Sequence, residues 1–350
     1  MARFIKTLKK TALAASIASL ATVANATIVT SIKPLGFIAS SIADGVTDTE
    51  VLVPAGASPH DYSLKPSDIQ KLQGAELILW VGEDIDAFLD KTLRPMPFKK
   101  VLSIADFAEI GGLLEGEAHD HKHEHDHDHT HKHDHAHKHD HAHKHDHDHK
   151  HDHDHKHDHA HKHDHDHKHD HAHEHDHDHS TNWHVWYSPE ISKIVATRLA
   201  TRLTEAYPEK KAKIAQNLAE FNRTLAEQSE KIKQQLAPVK EKGFYVFHDA
   251  YSYFNNAYGL KQTGYFTINP LVAPGAKTLA KIKQEIKAHK VNCLFAEPQF
   301  TPKVIESLSK GTGVHVGRLD PMGDAVKLGV NSYANFLQYT ADSYFACLSK

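Results

Sequence analysis

Histidine occupies every odd position from His119 to His179, which accounts for 31 of the 36 histidines in the chain. The even positions of this tract carry 17 acidic residues and 8 lysines. Neutral imidazole binds divalent transition ions, so the tract offers many ligands with little geometric selectivity. Five histidines lie elsewhere: His60, His184, His248, His289 and His315. Three of them fall in a loop or at the carboxyl end of a predicted strand: His60 in GASPHDYSLKPSD, His184 in NWHVWYSPE and His248 in FYVFHDAYSYF. Open α/β sheets present their ligand-binding groups at those places. Glu297 after NCLFA and Asp320 after VHVGRL are placed the same way.

Convergence of His60, His184 and His248 on one crevice would supply three imidazoles and leave a fourth position for water or Asp320. That donor set suits Zn²⁺ in tetrahedral geometry, with Zn–N bonds of about 2.0–2.1 Å. Manganese would prefer more carboxylates, whereas Cu²⁺ or Ni²⁺ compete on affinity alone. Imidazoles bind metal only when neutral, so affinity is expected to fall below about pH 6.5. His289, in KAHK, is expected to be a solvated residue at a helix end, favourable to the helix dipole. His315 lies inside a predicted strand and is expected to pack or hydrogen-bond there.

These residues need a scaffold that brings distant loops together. Thr27–Ile32, Glu50–Val53, Leu77–Val81 and Val101–Ile104 read as near-continuous apolar strands, separated by helical patterns at 34–43, 65–73 and 85–93. Such alternation argues for a parallel sheet covered on both faces. A helical region follows the tract over Pro189–Ala206, and Pro208 restarts the chain as a helix start. The stretch 209–236 lacks glycine and, like the residues around it, is rich in Lys, Glu, Gln and Ala. It reads as one long connecting helix. Strand–helix alternation then resumes, with strands at 244–247, 292–296 and 314–319 and helices at 251–258, 278–289, 302–309 and 331–348. The expected fold is α/β: two lobes, with mainly parallel sheets, joined by a long helix. The divisions are a leader at 1–26, an N-terminal lobe at 27–118 completed by 180–207, the tract at 119–179, the linking helix at 208–238 and a C-terminal lobe at 239–350.

Arg3, Lys6, Lys9 and Lys10 precede a short Ala-rich apolar run, and Ala24-Asn25-Ala26 supplies the small-x-small pattern of a signal-peptide cleavage site. A soluble periplasmic product starting at Thr27 follows, with no cysteine near the cleavage site to take a lipid anchor. Setting aside the tract's net charge of −9 and the leader's +4 takes the chain's −4 to about +1 for the body. A near-neutral body gives no basic face for nucleic acid. In an oxidising compartment the two cysteines, Cys293 and Cys347, read as a disulfide, with two buried free thiols as the alternative. The tract alternates His with Asp, Lys or Ala and has no apolar face to bury, so it is expected to be a disordered collector of metal tethered near the cleft.

Three functions compete at this point. One is a non-catalytic metal receptor. The second is a secreted zinc hydrolase, with the three histidines activating water and Glu297 or Asp320 as base. Outside the histidine tract neither an HExxH nor a GxSxG motif is present to support it. The third is a metal store or adhesin in which the tract is the main actor.

The segments GASPHDYSLKPSD, NWHVWYSPEISK, FYVFHDAYSYF, FAEPQF and LDPMG, in this order, resemble the zinc-binding receptors of bacterial zinc ABC importers, of the ZnuA type. The resemblance covers essentially the whole mature chain. It implies two pseudo-symmetric lobes with mainly parallel four-stranded sheets, a long backbone helix between them and metal in the interlobe cleft, in a periplasmic receptor that carries Zn²⁺ to a membrane permease powered by a cytoplasmic ATPase; a monomer is expected. The zinc ligands it implies are His60, His184 and His248. Histidine at 248 resembles the zinc branch, since manganese-binding relatives tend to carry a carboxylate there. The resemblance also implies the Cys293–Cys347 disulfide. Two positions depart from the pattern. Many zinc-type members have an acidic residue where this chain has Pro59, which leaves water or Asp320 as the fourth ligand. Tyr265 stands where some members carry a histidine of an auxiliary site.

Overall fold

The computed structural model describes residues 27–116, 181–300 and 303–350. The predicted leader and the histidine tract lie outside the described residues. The first half opens with β1 (Thr27–Thr30), α1 (Lys33–Ile42), β2 (Asp48–Val51), α2 (Pro66–Gly74), β3 (Leu77–Trp80), α3 (Glu83–Leu93) and β4 (Val101–Ser103). Its four strands are all parallel, in the order β2-β1-β3-β4. The central strand β3, LILW, is buried along its length, whereas the edge strand β2, DTEV, alternates exposed and half-buried residues. That contrast is what parallel sheets covered by helices require.

Two short strands, β5 (Glu115–Gly116) and β6 (Thr181–Asn182), pair antiparallel, with Gly116 opposite Thr181. The chain therefore leaves for the tract and returns from it at neighbouring points of one small ladder. Then come α4 (Pro189–Ala206), the 26-residue α5 (Lys211–Leu236), β7 (Phe244–His248), α6 (Ser252–Tyr258), β8 (Gln262–Thr267), α7 (Ala276–Lys287), β9 (Cys293–Ala296), α8 (Lys303–Thr312), β10 (His315–Arg318) and α9 (Ser332–Leu348). The second sheet is again parallel, in the order β10-β9-β7-β8. Two parallel four-stranded sheets with helices make the two-lobe α/β fold expected from the sequence.

At 1.5 Å per residue α5 is about 39 Å long. It buries Ile214, Asn217, Phe221, Leu225, Ile232 and Leu236 at helical spacing. Asn217 donates from Nδ2 to the carbonyls of Ile42 and Asp44, at 2.9 and 2.8 Å, satisfying groups at the end of α1. One apolar core runs from α1 through α4 and α5 into α9, so both lobes share a packed interior with the linking helix. Among the described residues no helix is long and apolar enough to cross a membrane. Cys293, which opens β9, is bonded to Cys347 near the end of α9.

Candidate metal centre

Each of the three cleft histidines is set by a different local device. His60 sits in a single 3₁₀ turn, Pro59–Asp61, in the loop after β2. Ser58 starts that turn, its Oγ accepting from the His60 N–H at 3.3 Å. His184 follows β6 and precedes the 3₁₀ turn Val185–Tyr187, in which all three residues are buried. Trp186 and Tyr187 act as anchors there: the Trp186 indole donates to the carbonyl of Pro321 at 3.2 Å, and Tyr187 stacks on Phe336. Ser188 then caps α4 by accepting from the Ile191 N–H. His248 is the last residue of β7 and lies opposite Thr267 in the ladder with β8.

The three rings meet. Their centroids are 5.1 Å apart for His184 and His248, and 5.6 Å from His60 to each of the others. One ligand nitrogen from each ring lies within 4.8 Å of the other two. His184 Nε2 is 3.2 Å from His248 Nε2. Tetrahedral bonds of 2.0–2.1 Å would place two ligand nitrogens about 3.3 Å apart. The space among Ser58, Pro59, the three histidines, Phe300 and Met322 amounts to about 10 Å³. That is the scale of one water-sized sphere and far below the several hundred Å³ of an organic ligand pocket.

Which nitrogen of each ring is free follows from the partners of the other. Asn182 Oδ1 faces both the backbone N–H of His184, at 3.0 Å, and its Nδ1, at 2.7 Å. The Asn182 amide is oriented by its own donations from Nδ2 to the Asp249 carbonyl and Ser252 Oγ. His248 Nδ1 lies 2.7 and 2.9 Å from the two Glu297 carboxylate oxygens. An oxygen that only accepts requires an Nδ1–H, so each of these rings, when neutral, turns its Nε2 lone pair inward. Two lone pairs 3.2 Å apart repel unless a cation or proton stands between them. A carboxylate holding the far nitrogen of a histidine is the usual outer support of a metal ligand.

Glu297 is buried and also accepts from the Tyr251 hydroxyl at 3.0 Å. Burial and the Glu297 charge push the Tyr251 hydroxyl well above its ordinary pKa, so it stays a donor. Burial, then the neighbouring His248, pulls His60 down to about 3. Burial, then His248 and His60, holds His184 well below the ordinary imidazole value. These two imidazoles are therefore already neutral at physiological pH, as metal ligands must be.

Asp320 is buried close by, but its carboxylate is engaged elsewhere. Oδ1 accepts from Gln299 Nε2 at 2.8 Å and from the Met322 N–H at 3.0 Å, and Oδ2 accepts from the Asp324 N–H at 2.7 Å. Among the described residues the converging group contains the three histidines and not Asp320. His289 is exposed beyond the end of α7, as expected. His315 differs from expectation. It is exposed on β10, the edge strand of its sheet. Asn182 and Tyr251 escaped the sequence reading. An asparagine two residues before a loop histidine is the one local signal that pointed to the first.

Comparison with known proteins adds an independent line. The family model for the periplasmic component A of zinc-uptake complexes matches residues 28–347. The high-affinity zinc uptake system protein ZnuA of Haemophilus influenzae is 68% identical over 345 residues, covering 99% of both chains. Its namesake from Yersinia pestis is 41% identical over 326 residues, covering 93% of this chain and 92% of that one. A crystal structure of ZnuA superposes with a TM-score of 0.66 at 21% identity, covering 93% of this chain and 99% of that one. That structure supports the fold alone. Sequence relatives, family model and two-lobe architecture agree, and the chain belongs to the family of periplasmic A components of zinc-uptake complexes.

Proposed function

We propose that this protein captures Zn²⁺ in the periplasm and hands it to the membrane permease of an ABC importer, with His60, His184 and His248 as the ligands. The observation that carries this reading is the pair of inward Nε2 atoms 3.2 Å apart, each ring pinned from behind by an oxygen acceptor. His60 completes a three-imidazole set in a space sized for one ion. Water is the fourth ligand in this reading, because the Asp320 oxygens are occupied by Gln299 and two backbone N–H groups. Names of the relatives support zinc as the cargo. The protein acts as a non-catalytic monomer, secreted through a leader cleaved before Thr27 and not lipid-anchored. The lobes divide as the sequence suggests, with 208–238 as the link, and the tract at 119–179 buffers zinc.

Glu297 is one of the two residues, with Asp320, that the hydrolase reading would use as a base. Its carboxylate is spent on the His248 ring and the Tyr251 hydroxyl. That supports a receptor over an enzyme.

The test is growth under zinc limitation of a bacterium deleted for its own zinc receptor. The full chain is expected to restore growth, and variants with alanine at His60, His184 and His248 together are expected to fail despite an intact tract. Full rescue by the triple variant would make the tract the working element and overturn the proposal.

A further inference from the structure

The three ligand rings are not equally secured. His184 and His248 are each held through Nδ1 by a side-chain oxygen. Among the described residues the His60 ring makes no hydrogen bond, and His60 is the one residue of the three that is not fully buried. Its position therefore rests on the backbone of its loop.

Among the described residues one hydrogen bond ties that loop across the cleft. The Gly56 N–H, four residues before His60, donates to Asp324 Oδ2 at 2.7 Å. Lys33 Nζ, at the start of α1, donates to the carbonyl oxygen of the same Asp324, also at 2.7 Å. Asp324 is in turn placed by Asp320, whose carboxylate accepts from the N–H groups of Met322 and Asp324 and closes the turn between them. Gly323 sits in that turn at a φ of +63°, and an added Cβ would lie 2.6 Å from the Phe336 ring and 2.9 Å from Phe37. The turn thus has little freedom, and it presents Asp324 to the His60 loop as a fixed acceptor. Gly56 itself has a φ of +78°, a conformation glycine adopts at little cost.

We propose that Asp324 is a positioning residue for His60: by clasping the Gly56 N–H it holds the His60 loop closed over the site and sets how slowly zinc leaves. This inference rests on His60 being a zinc ligand, as proposed above. It also gives Asp320 a purpose other than ligation, as the residue that shapes the clasp.

The test uses the full chain loaded with one equivalent of zinc, with release followed by rapid mixing with excess chromophoric chelator. Asp324→Ala removes the acceptor and is expected to speed the slow phase of release about tenfold, the scale of one hydrogen bond to a charged group. Asp324→Asn keeps an oxygen that can accept from Gly56 and is expected to stay within about threefold of the parent. In a His60→Ala background, Asp324→Ala is expected to change nothing further. An unchanged release rate in Asp324→Ala would overturn the proposal. So would equal acceleration with and without His60, which would mean general loosening, and so would Asp324→Asn releasing zinc as fast as the alanine variant. Failure of the underlying ligand set would look different. His184→Ala and His248→Ala would then retain the slow phase.

Discussion

Replacing Glu297 tests the site at its best-defined support. The carboxylate lies 2.7 and 2.9 Å from His248 Nδ1 and takes the Tyr251 hydroxyl at 3.0 Å, all of it buried. Hydrogen bonds to charged groups contribute about 1.5–3 kcal/mol, and each 1.4 kcal/mol is about tenfold in affinity. The expected loss is therefore about 10–100-fold, the same range seen when outer partners of metal-bound histidines are removed. Glu297→Gln keeps an oxygen for the Nδ1–H but sheds the charge, so it belongs near the tenfold end. Glu297→Ala frees the ring to rotate and change tautomer, and belongs near the hundredfold end. Tyr251→Phe removes a neutral donor from Glu297 and is expected to cost about threefold or less. The assay is competition against a chromophoric chelator, on protein lacking residues 119–179 so that tract sites do not obscure the tight one. Gly116 and Thr181 pair in one ladder, so that deletion leaves a short hairpin connection between β5 and β6. Affinities of Glu297→Gln and Glu297→Ala within twofold of the parent would refute the role given to the carboxylate. Zinc-dependent hydrolytic turnover abolished by Glu297→Gln would instead revive an enzyme.

The zinc-free protein should lose stability as pH falls. Folding depresses the His60 pKa to about 3, so the unfolded chain, protonating near 6.5, binds more protons in between. The loss is about 1.4 kcal/mol per pH unit at most for this group, and denaturant melts between pH 7 and 4 should show a shallower decline in His60→Ala. Reducing the Cys293–Cys347 bond frees a loop spanning a sequence separation of 54, worth about 4 kcal/mol by loop entropy. A fall in melting temperature of about 10 °C is expected, with zinc affinity in the folded protein little changed. Small-angle scattering should show little compaction on zinc binding, because the apolar core through α1, α5 and α9 joins the lobes. A large decrease in radius of gyration would contradict that.

Much of this protein is legible in its sequence, for identifiable physical reasons. The central strands carry runs such as LILW and FYVF that only a doubly covered sheet can bury. The placement of His60, His184 and His248 after strands or in loops was enough to suggest that they meet. Strand β8 was missed as a strand because it lies at the sheet edge, half exposed, with Gly264 and an irregular register at Phe244 and Tyr245. Strands β5 and β6 are two residues each and leave no periodicity to read. Glu297 stood out by its position after β9, but its partner depends on register. Val246 pairs with Phe295, and two residues further along each strand His248 meets Glu297. Asp320 shows the opposite limit: its position invited ligation, while local N–H groups, invisible in a sequence, had already taken its oxygens.

Calorimetric titration of zinc into protein lacking residues 119–179, beside His60→Ala, His184→Ala and His248→Ala in the same background, tests the ligand assignment most directly. A three-imidazole site predicts one tight zinc per chain, lost or weakened by orders of magnitude in each variant. Disappearance of tight binding with the tract alone, or a tight site that survives any two of the single substitutions, would contradict it.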